Sequence, residues 1–261
     1  MKHLDKIKAK LQQGEPVIGT HIKSGEPTIA ELFGHVGFDF IWIDGEHPVM
    51  TVETVLKHTI AAQGMGMAAF YRVPWNDPVL VKPVLDTGID GIVFPMVCNK
   101  EDAELAVSAC RYPPKGIRGW GPVRDNGYGT RSNEWQVENA DNLWKIMQIE
   151  HYEAVENLEE IMAVDGVDAI TVGASDLSCS MGMPMQVDHP LVLEKLDEIA
   201  KKAKKANMPF SISMGYHPVR LQQWIQRGIN WLSISDEYDF LVRASKEILN
   251  ASKAEFEKRR S

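Results

Sequence analysis

The strongest constraint on the fold is a regular alternation of apolar, strand-like runs with segments of helical spacing. Eight apolar runs occupy residues 16–22, 38–44, 67–73, 90–97, 144–150, 168–173, 209–214 and 230–235. Helical spacing separates or follows them, over residues 27–36, 51–63, 77–87, 100–110, 152–163, 190–206, 217–227 and 237–257. Most of the runs are continuously apolar rather than alternately apolar and polar, which predicts strands buried on both faces of a sheet.

Such an alternation over about 250 residues is typical of a (β/α)8 TIM barrel, which is an α/β fold. An open, doubly wound sheet is the alternative, but no G-x-G-x-x-G or phosphate-loop motif follows the first run. We predict one barrel domain over residues 1–261, with a long βα loop at about 112–140. A loop of this length is usually functional or disordered, and Trp120, Tyr128 and Trp135 argue against full disorder.

Charge and cysteine content narrow the partners that we expect. Lys and Arg number 28 and Asp and Glu number 36, giving a formal net charge of −8. An acidic chain without a basic block is a poor candidate for nucleic acid or an anionic membrane. No apolar run approaches the roughly 18 residues of a transmembrane helix, and the first 15 residues lack the apolar core of a secretory signal. Three cysteines without a CxxC pair favour a reducing, cytoplasmic setting.

Ionisable residues collect where several predicted strands end. They are Asp44 and His47 after the second run, Arg72 after the third, Glu150 after the fifth and Asp176 after the sixth. Each has a structural interpretation of its own: a turn, a surface loop, an ion pair, a helix start and an N-cap, respectively. Active sites of barrels lie at the C-terminal ends of the strands, so we expect the five side chains to share one cavity.

The residue types in this cluster suit enolate chemistry. Two carboxylates favour a hard divalent cation, magnesium or manganese rather than zinc. Such a cation could bind the carboxylate and keto oxygens of a 2-oxo acid and stabilise an enolate there, with Arg72 adding positive charge. Backbone N–H groups of residues 173–175 could hold the carboxylate, and a histidine paired with an aspartate is a general base. The residues therefore predict an enolate-forming lyase.

Six motifs add a family resemblance. They are WIDGEHP (42–48), RVPWNDP (72–78), FPMVCN (94–99), RYPPKGIRG (111–119), MQIE (147–150) and GVDAITVGASDLSCSMG (166–182). Together they resemble the HpcH/HpaI aldolase/citrate lyase family, the metal-dependent class II pyruvate aldolases, over residues of about 14–245. The resemblance implies a (β/α)8 barrel whose last helix can be exchanged between neighbouring subunits, a hexameric homo-oligomer, and Mg²⁺, Mn²⁺ or Co²⁺ as cofactor.

The resemblance also implies a role for each matching residue. His47 would be the catalytic base acting through water, with Asp44 as its orienting partner, and Arg72 would contact the keto oxygen of the pyruvyl group. Glu150 and Asp176 would bind the metal. Gln148 would line the pyruvate pocket, and the backbone of Ala174 and Ser175 would hold the substrate carboxylate.

The expected reaction is reversible cleavage of a 4-hydroxy-2-oxo acid to pyruvate and an aldehyde, so the expected partners are small molecules. Decarboxylation or condensation through the same enolate, a thioester lyase of the same superfamily, and a barrel that binds without catalysis are the alternatives. The stretch after GIRG departs from the better-known aldolases, which leaves the aldehyde open. Arg118, Arg124 and Arg131 in that stretch would either recognise a distal carboxylate or be solvated.

Overall fold

The fold is a closed parallel barrel of eight strands, which confirms the predicted fold class. In the computed structural model, which describes residues 2–259, each strand pairs with its neighbour in chain order and β8 closes onto β1. The strands are β1 (Val17–Ile22), β2 (Phe40–Asp44), β3 (Ala68–Arg72), β4 (Gly91–Phe94), β5 (Trp144–Ile149), β6 (Ala169–Val172), β7 (Phe210–Met214) and β8 (Trp231–Asp236). All eight overlap the predicted runs.

Twelve helices surround the strands within the described range. They are α1 (Lys2–Gln12), α2 (Thr28–Val36), α3 (Val52–Gly64), α4 (Pro78–Leu85), α5 (Lys100–Cys110), α6 (Asn133–Asn142), α7 (Tyr152–Glu156), α8 (Leu158–Met162), α9 (Ala174–Ser180), α10 (Pro190–Lys205), α11 (Pro218–Gln226) and α12 (Glu237–Lys258). The predicted helix over 152–163 is two short helices, α7 and α8, that meet at Asn157. Sequence reasoning missed α1 and α6.

Most strands are buried on both faces because the barrel has two separate cores. The outer core packs one set of strand residues, such as Ile41 and Ile43, against the helices. The inner core fills the barrel with large rings, Phe40, Trp42, Phe70, Trp144 and Trp231 among them. Side chains on successive residues of a strand point to opposite faces, so a strand that serves both cores is apolar throughout. The two cores therefore account for the continuously apolar runs in the sequence.

The N-terminal helix packs against the inner core. Leu4 and Ile7 of α1 are fully buried in the same apolar cluster as Val17, Phe40 and Trp144, at the start of the strands. Their spacing of three residues places them on one face of the helix. The barrel is therefore covered at its N-terminal end, and its polar residues lie toward the opposite end.

Inward-facing positions change from apolar to polar along the strands. The sequence along β2 is Phe40, Trp42, Asp44, and along β3 it is Ala68, Phe70, Arg72. Polar residues also follow or replace apolar ones on four further strands, at Gln148 of β5, Thr171 of β6, Ser211 and Ser213 of β7, and Ser233 of β8. The period of two places these polar side chains in the layers nearest the C-terminal mouth.

The long segment over 112–140 is not a βα loop. It follows α5 and precedes β5, so it is an αβ connection at the N-terminal face, opposite the mouth. Arg118 pairs with Asp86 (3.1 Å) and with Asp125, and Arg124 donates to the backbone oxygen of Thr87 (2.6 Å). Both expectations for these two arginines, carboxylate recognition and free solvation, are wrong: they attach the segment to the ends of α4 and β4.

The last helix leaves the barrel. It contacts β8 and β1 near its beginning, and every residue from Leu241 to Arg259 is exposed. Exposed apolar side chains continue along it, at Leu241, Val242, Ile248, Leu249 and Phe256. This arrangement leaves an amphipathic helix without a packing partner in its own chain over most of its length.

Candidate active site at the C-terminal mouth of the barrel

A buried ion pair between neighbouring strands forms the centre of the polar mouth. Parallel pairing puts Asp44 and Arg72 in register, and the fully buried Asp44 carboxylate accepts from Arg72 Nε (3.0 Å) and Nη2 (2.8 Å). Burial alone would raise the pKa of Asp44, but the Arg72 charge and its hydrogen bonds lower that pKa overall. The carboxylate is therefore ionised and holds the guanidinium in a fixed plane.

A second carboxylate completes the contacts of Arg72. Its Nη1 lies 2.8 Å from Oε2 of Glu46, which is partly exposed. The Glu46 N–H donates to Asp44 Oδ1 (3.0 Å), so the turn after β2 folds back onto the ion pair. Gly45 makes that turn possible, because a Cβ on it would collide with the Tyr71 hydroxyl and lie 2.7 Å from the Arg72 carbonyl oxygen. Glu46 was quoted in the motif but missed as a site residue.

The expected pairing of Asp44 with His47 is not present among the described contacts. Both oxygens of Asp44 are engaged by Arg72, whereas the His47 ring is 64% exposed with its Nε2 4.0 Å from Glu46 Oε2. His47 lies beyond the turn, on the rim of the cavity, and the acid near it is Glu46. In this structure Asp44 therefore contacts Arg72 rather than His47, and its role as the partner of His47 stays a prediction.

Glu150 is the most perturbed carboxylate at the mouth. It is buried and accepts from the Met96 N–H (2.8 Å) and from the Gln148 side-chain amide. Burial, together with the negative charges of Glu46 and Asp176, raises the pKa of Glu150 to about 7. These three acids therefore lie within electrostatic range of one another.

The start of α9 stands beside Glu150. Gly173 precedes the helix, and a Cβ there would lie only 2.7 Å from Glu150 Oε2, so this close approach requires glycine. Asp176 lies in the first turn, with Gly173 as the N-cap, so the structural interpretation of Asp176 as an N-cap is wrong. Ala174 and Ser175, the expected carboxylate-binding positions, form the same first turn.

A cavity of about 390 Å³ opens beside these residues. Its lining comprises His21, Lys23, His47, Arg72, Ser175, Ser213, Met214, Gly215, Ser235, Asp236 and Asp239. The volume is in the range of small-ligand sites, about 300–1,000 Å³. Three of the expected site residues, His47, Arg72 and Ser175, thus border one space, although they come from three separate βα loops and strand ends.

The donor set around Glu150 fits a hard divalent cation. Glu150 and Asp176 offer carboxylate oxygens, and the buried Gln148 Oε1 has no hydrogen-bond partner among the described residues. Mutual repulsion of the acids would be relieved by a cation, and oxygen donors are those preferred by magnesium and manganese. The expected ligand pair is therefore chemically suited to a metal.

A separate group of side chains, Cys98, His151 and Glu153, has ligand atoms within 4.8 Å of one another. Burial and nearby carboxylates raise the pKa of the Cys98 thiol to about 11, so it is protonated at neutral pH. His151 Nδ1 accepts the Glu153 N–H (3.3 Å) as the N-cap of α7. This group is a helix cap beside a thiol, and it does not include the expected ligands Glu150 and Asp176.

Comparison with known proteins identifies the family of the chain. A sequence model of the HpcH/HpaI aldolase/citrate lyase family matches residues 18–233, which is most of the chain. The chain belongs to the HpcH/HpaI aldolase/citrate lyase family. The resemblance drawn from the six motifs is thus confirmed, and the chain is an enzyme of a lyase family.

Similar relatives cover nearly the whole chain. A 5-keto-4-deoxy-D-glucarate aldolase of Escherichia coli (strain K12) is 32% identical over 252 residues, covering 95% of this chain and 97% of that protein. A family protein of Burkholderia cenocepacia J2315 superposes with a TM-score of 0.89 at 30% identity, covering 95% and 99% of the two chains. The citrate synthase SbnG is more distant, with a TM-score of 0.84 at 27% identity over 96% and 98%. Aldolase is the coarse function that the name of the Escherichia coli relative shares with the prediction. Within residues 2–259, no helix has the length and apolar character needed to span a membrane.

Proposed function

We propose that the chain is a class II aldolase that reversibly cleaves a 4-hydroxy-2-oxo acid to pyruvate and an aldehyde. The observation that carries the proposal is the buried, in-plane guanidinium of Arg72 beside the Glu150 carboxylate at the mouth of the barrel. A fixed cation at this position would stabilise a substrate oxygen that gains negative charge during the reaction. The aldolase relatives of equal length support the same chemistry.

Arg72 has free hydrogen-bonding capacity for a substrate oxygen. A guanidinium carries five N–H donors. Two hydrogen bonds to Asp44 hold Arg72 in place, and Glu46 lies 2.8 Å from Nη1 as an ion pair, so about three N–H groups remain. We assign these to the keto oxygen of the pyruvyl group, where they stabilise the enolate formed on cleavage.

Glu150 and Asp176 would hold the divalent metal, Mg²⁺, Mn²⁺ or Co²⁺, with Gln148 lining the pyruvate pocket beside them. When bound, the metal would supply Lewis-acid polarisation of the 2-oxo acid. The first turn of α9, with Ala174 and Ser175, lies where the substrate carboxylate would be received, and Ser175 borders the cavity with Arg72.

His47 is assigned as the base. It removes the proton of the C4 hydroxyl through water, the C4 oxygen becomes the aldehyde carbonyl, and the C3–C4 bond breaks. The electron pair of that bond passes into the enolate of pyruvate, whose C3 is then protonated. The exposed His47 ring is accessible to water, and its Nε2 lies 4.0 Å from Glu46 Oε2.

Deuterium exchange at the methyl group of pyruvate tests this proposal without knowledge of the aldehyde. We expect exchange, followed by NMR, with Mg²⁺, Mn²⁺ or Co²⁺ and its loss in EDTA. Loss of metal binding rather than catalysis in His47→Ala would contradict the role of His47. His35→Ala is the matched control, because His35 is an exposed histidine on α2, away from the mouth. A folded, metal-loaded protein without exchange would refute the proposal.

Condensation through the same enolate is the second candidate, because a citrate synthase is among the similar structures. Cleavage and condensation share the enolate and differ in the electrophile that it meets. Product analysis distinguishes them: an aldolase releases pyruvate and an aldehyde from a 4-hydroxy-2-oxo acid, and a condensing enzyme forms a new carbon–carbon bond with a 2-oxo acid acceptor.

We also propose that the chain is a homo-oligomer in which α12 packs on a neighbouring copy, as the family resemblance implies for a hexamer. The support is the run of exposed apolar residues on α12 after Phe240, where every described residue is exposed. Light scattering of the full chain and of a chain ending at residue 244 tests it. An oligomer that dissociates on truncation is expected, and a monomeric full chain would refute it.

A further inference from the structure

A sulfur, a nitrogen and an oxygen donor meet on the rim of the barrel, where β4 and β5 continue into their βα loops. The thiol of Cys98 comes from the segment between β4 and α5, and His151 and Glu153 lie at the beginning of α7, directly after β5. The two strands are neighbours in the barrel, so residues that are more than 50 positions apart come together there. One ligand atom of each side chain lies within 4.8 Å of the other two. None of the three borders the cavity beside Arg72 or has a role in the proposed enolate chemistry.

Hydrogen bonds hold the backbone of Cys98 on both sides. Its N–H donates to Asp102 Oδ2 (2.9 Å) in the first turn of α5, and its carbonyl oxygen accepts from Asn157 Nδ2 (3.0 Å) at the end of α7. The segment that carries the thiol is therefore attached to α7 as well as to α5. An ion that binds the thiol and α7 would order side chains only, which keeps the entropic cost of binding small.

The spacing of the three ligand atoms is close to that of a tetrahedral zinc site. Bond lengths of about 2.3 Å to sulfur and about 2.0–2.1 Å to nitrogen and oxygen separate the ligand atoms by about 3.3–3.6 Å. His151 Nδ1 lies 3.9 Å from Glu153 Oε2, and the thiol lies within 4.8 Å of its partners. The side chains therefore need to approach by at most roughly 1 Å. Glu153 is exposed, so its carboxylate has room to rotate by this amount.

The contacts that an ion would replace are weak. His151 Nδ1 accepts the Glu153 N–H at 3.3 Å, which is long for a hydrogen bond, and Nε2 of the same ring has no hydrogen bond to any residue in the described part of the chain. Asp102 and Glu153 place negative charge near the Cys98 thiol, and a cation would be attracted there. When the ion binds, the S–H bond breaks, the sulfur donates its electron pair to the ion, and the proton passes to water.

We propose that Cys98, His151 and Glu153 bind a Zn²⁺ ion, at a site separate from the Glu150 and Asp176 pair that is expected to hold the metal of the enolate reaction. One sulfur, one nitrogen and one oxygen ligand suit Zn²⁺, whereas Mg²⁺ requires oxygen ligands. Three protein ligands leave the fourth tetrahedral position to water. The zinc ion joins the segment between β4 and α5 to α7, and the chain separates two kinds of cation by the donor atoms that it offers to each.

Cobalt(II) is the probe for this site, because a thiolate bound to Co²⁺ gives intense charge-transfer absorption in the near ultraviolet and oxygen ligands alone do not. The full chain is reduced, freed of metal with a chelator and titrated with Co²⁺ in an excess of Mg²⁺, which competes for the oxygen-ligand site. We expect the absorption band to saturate at an equimolar amount of Co²⁺. Added Zn²⁺ should abolish the band by displacing Co²⁺, because thiolate ligands favour Zn²⁺.

Four variants assign the band to its residues. Cys98→Ser should abolish it and weaken Zn²⁺ binding, measured by competition with a chromogenic chelator, by about 100-fold or more. His151→Asn keeps a side chain that can cap α7 but loses the ring nitrogen, and should weaken Zn²⁺ binding by about tenfold or more. Cys179→Ser is the matched control, because Cys179 is an exposed cysteine outside the group, and it should bind Zn²⁺ like the wild type. Asp176→Asn should keep the band, because Asp176 belongs to the expected enolate site only.

Three outcomes overturn the zinc site. One is the absence of a charge-transfer band in the reduced wild type. Another is a band that persists in Cys98→Ser and disappears in Cys179→Ser, which would place the ion on a different thiol. The third is loss of the band in Asp176→Asn, which would make the thiol part of the enolate site. None of these measurements uses pyruvate, so they are independent of the deuterium exchange that tests the proposed function.

Discussion

Replacing Asp44 with Asn should detach Arg72 from its support while keeping the shape of the side chain. Asp44 is fully buried, and Arg72 is only 8% exposed. The substitution removes the negative charge that faces Arg72 Nε at 3.0 Å and Nη2 at 2.8 Å, and sets an amide N–H against a donor. The guanidinium then keeps only its contact with the partly exposed Glu46.

The expected loss of stability follows from these contacts. Removing one partner of a buried ion pair costs about 3–5 kcal/mol, and the remaining Glu46 contact places Asp44→Asn at the lower end, about 3 kcal/mol. For a chain of this size, that lowers the melting temperature by about 6–12 °C. Removing both partners together, in Asp44→Asn with Arg72→Met, should cost less than the sum of the single changes by about 2 kcal/mol.

Urea unfolding of the two single variants and the double variant, all in EDTA, measures that coupling energy. A parallel cycle with His47→Ala distinguishes the two roles of Asp44. If Asp44 positions Arg72, coupling to His47 stays within about 0.5 kcal/mol. A coupling to Arg72 below about 1 kcal/mol, or a coupling to His47 of equal size, would refute the assignment.

Three further predictions concern single residues. His47→Ala should abolish cleavage yet leave the free energy of unfolding within about 0.5 kcal/mol of wild type, because the ring is exposed; a larger change in urea unfolding would mean that the ring is structural. Gly173→Ala should weaken Mn²⁺ binding, measured by calorimetry, by about tenfold, because the added Cβ would displace Glu150. Gly121→Ala is the control, because a Cβ there meets open space. Equal Mn²⁺ affinities of the two variants would contradict the prediction. When the pH is lowered from 7.5 to 5.5, the wild type should lose about 1.4 kcal/mol of stability relative to His21→Phe. In the unfolded chain His21 takes up a proton near pH 6.5, whereas burial holds the pKa of His21 in the folded protein at about 3. The unfolded state is therefore favoured as the pH decreases. Parallel pH curves for the two proteins would show that His21 is not buried as a neutral ring.

Much of the fold could be predicted because both cores demand apolar strands. A run such as 38–44 serves the inner core through Phe40 and Trp42 and the outer core through Ile41 and Ile43, so hydropathy alone locates the strand. The same fact hides the direction of each side chain, since both faces are apolar. The sequence shows which side chains face the barrel interior only at the strand ends, where a polar residue such as Asp44 follows the apolar residues.

The missed helices carried weaker signals. In α1 the apolar residues Leu4, Ile7 and Leu11 have helical spacing but stand among lysines, and the segment ends before the first strand. In α6 the residues Asn133–Asn142 have low helix propensity, and tertiary contacts compensate: Gln136 is buried, accepts from the Asn126 side chain (2.9 Å) and donates to the Tyr112 hydroxyl (2.7 Å). Contacts of this kind lie far apart along the chain and leave no local pattern.

Which acid pairs with which partner could not be read from the motif. In DGEHP, Asp44 precedes His47 by three residues, whereas Arg72 is 28 residues away, so proximity along the chain favours the histidine. The parallel register reverses that preference, because it sets Asp44 directly beside Arg72 on the neighbouring strand. The long segment over 112–140 was misplaced for a related reason: its sequence is rich in functional residue types, but α5 had already returned the chain to the N-terminal face.

The position of Arg72 explains why a barrel would bury an ion pair at its mouth. A guanidinium free in water would have to reorganise its hydration as charge develops on a substrate oxygen, and that reorganisation adds to the barrier. The Asp44 carboxylate fixes the plane of Arg72 before any substrate arrives, and burial on β2 and β3 prevents water from competing for Nε and Nη2. The loss in stability from desolvating two charges is offset by their bidentate contact. In the proposed mechanism, the remaining N–H groups are therefore already oriented when the enolate forms. On this reasoning, Arg72→Lys keeps the positive charge but loses the planar guanidinium, and it should reduce deuterium exchange into pyruvate nearly as much as Arg72→Ala. The exchange rates are measured by NMR. A lysine variant with a rate close to wild type would show that the site requires the charge alone and not a fixed plane.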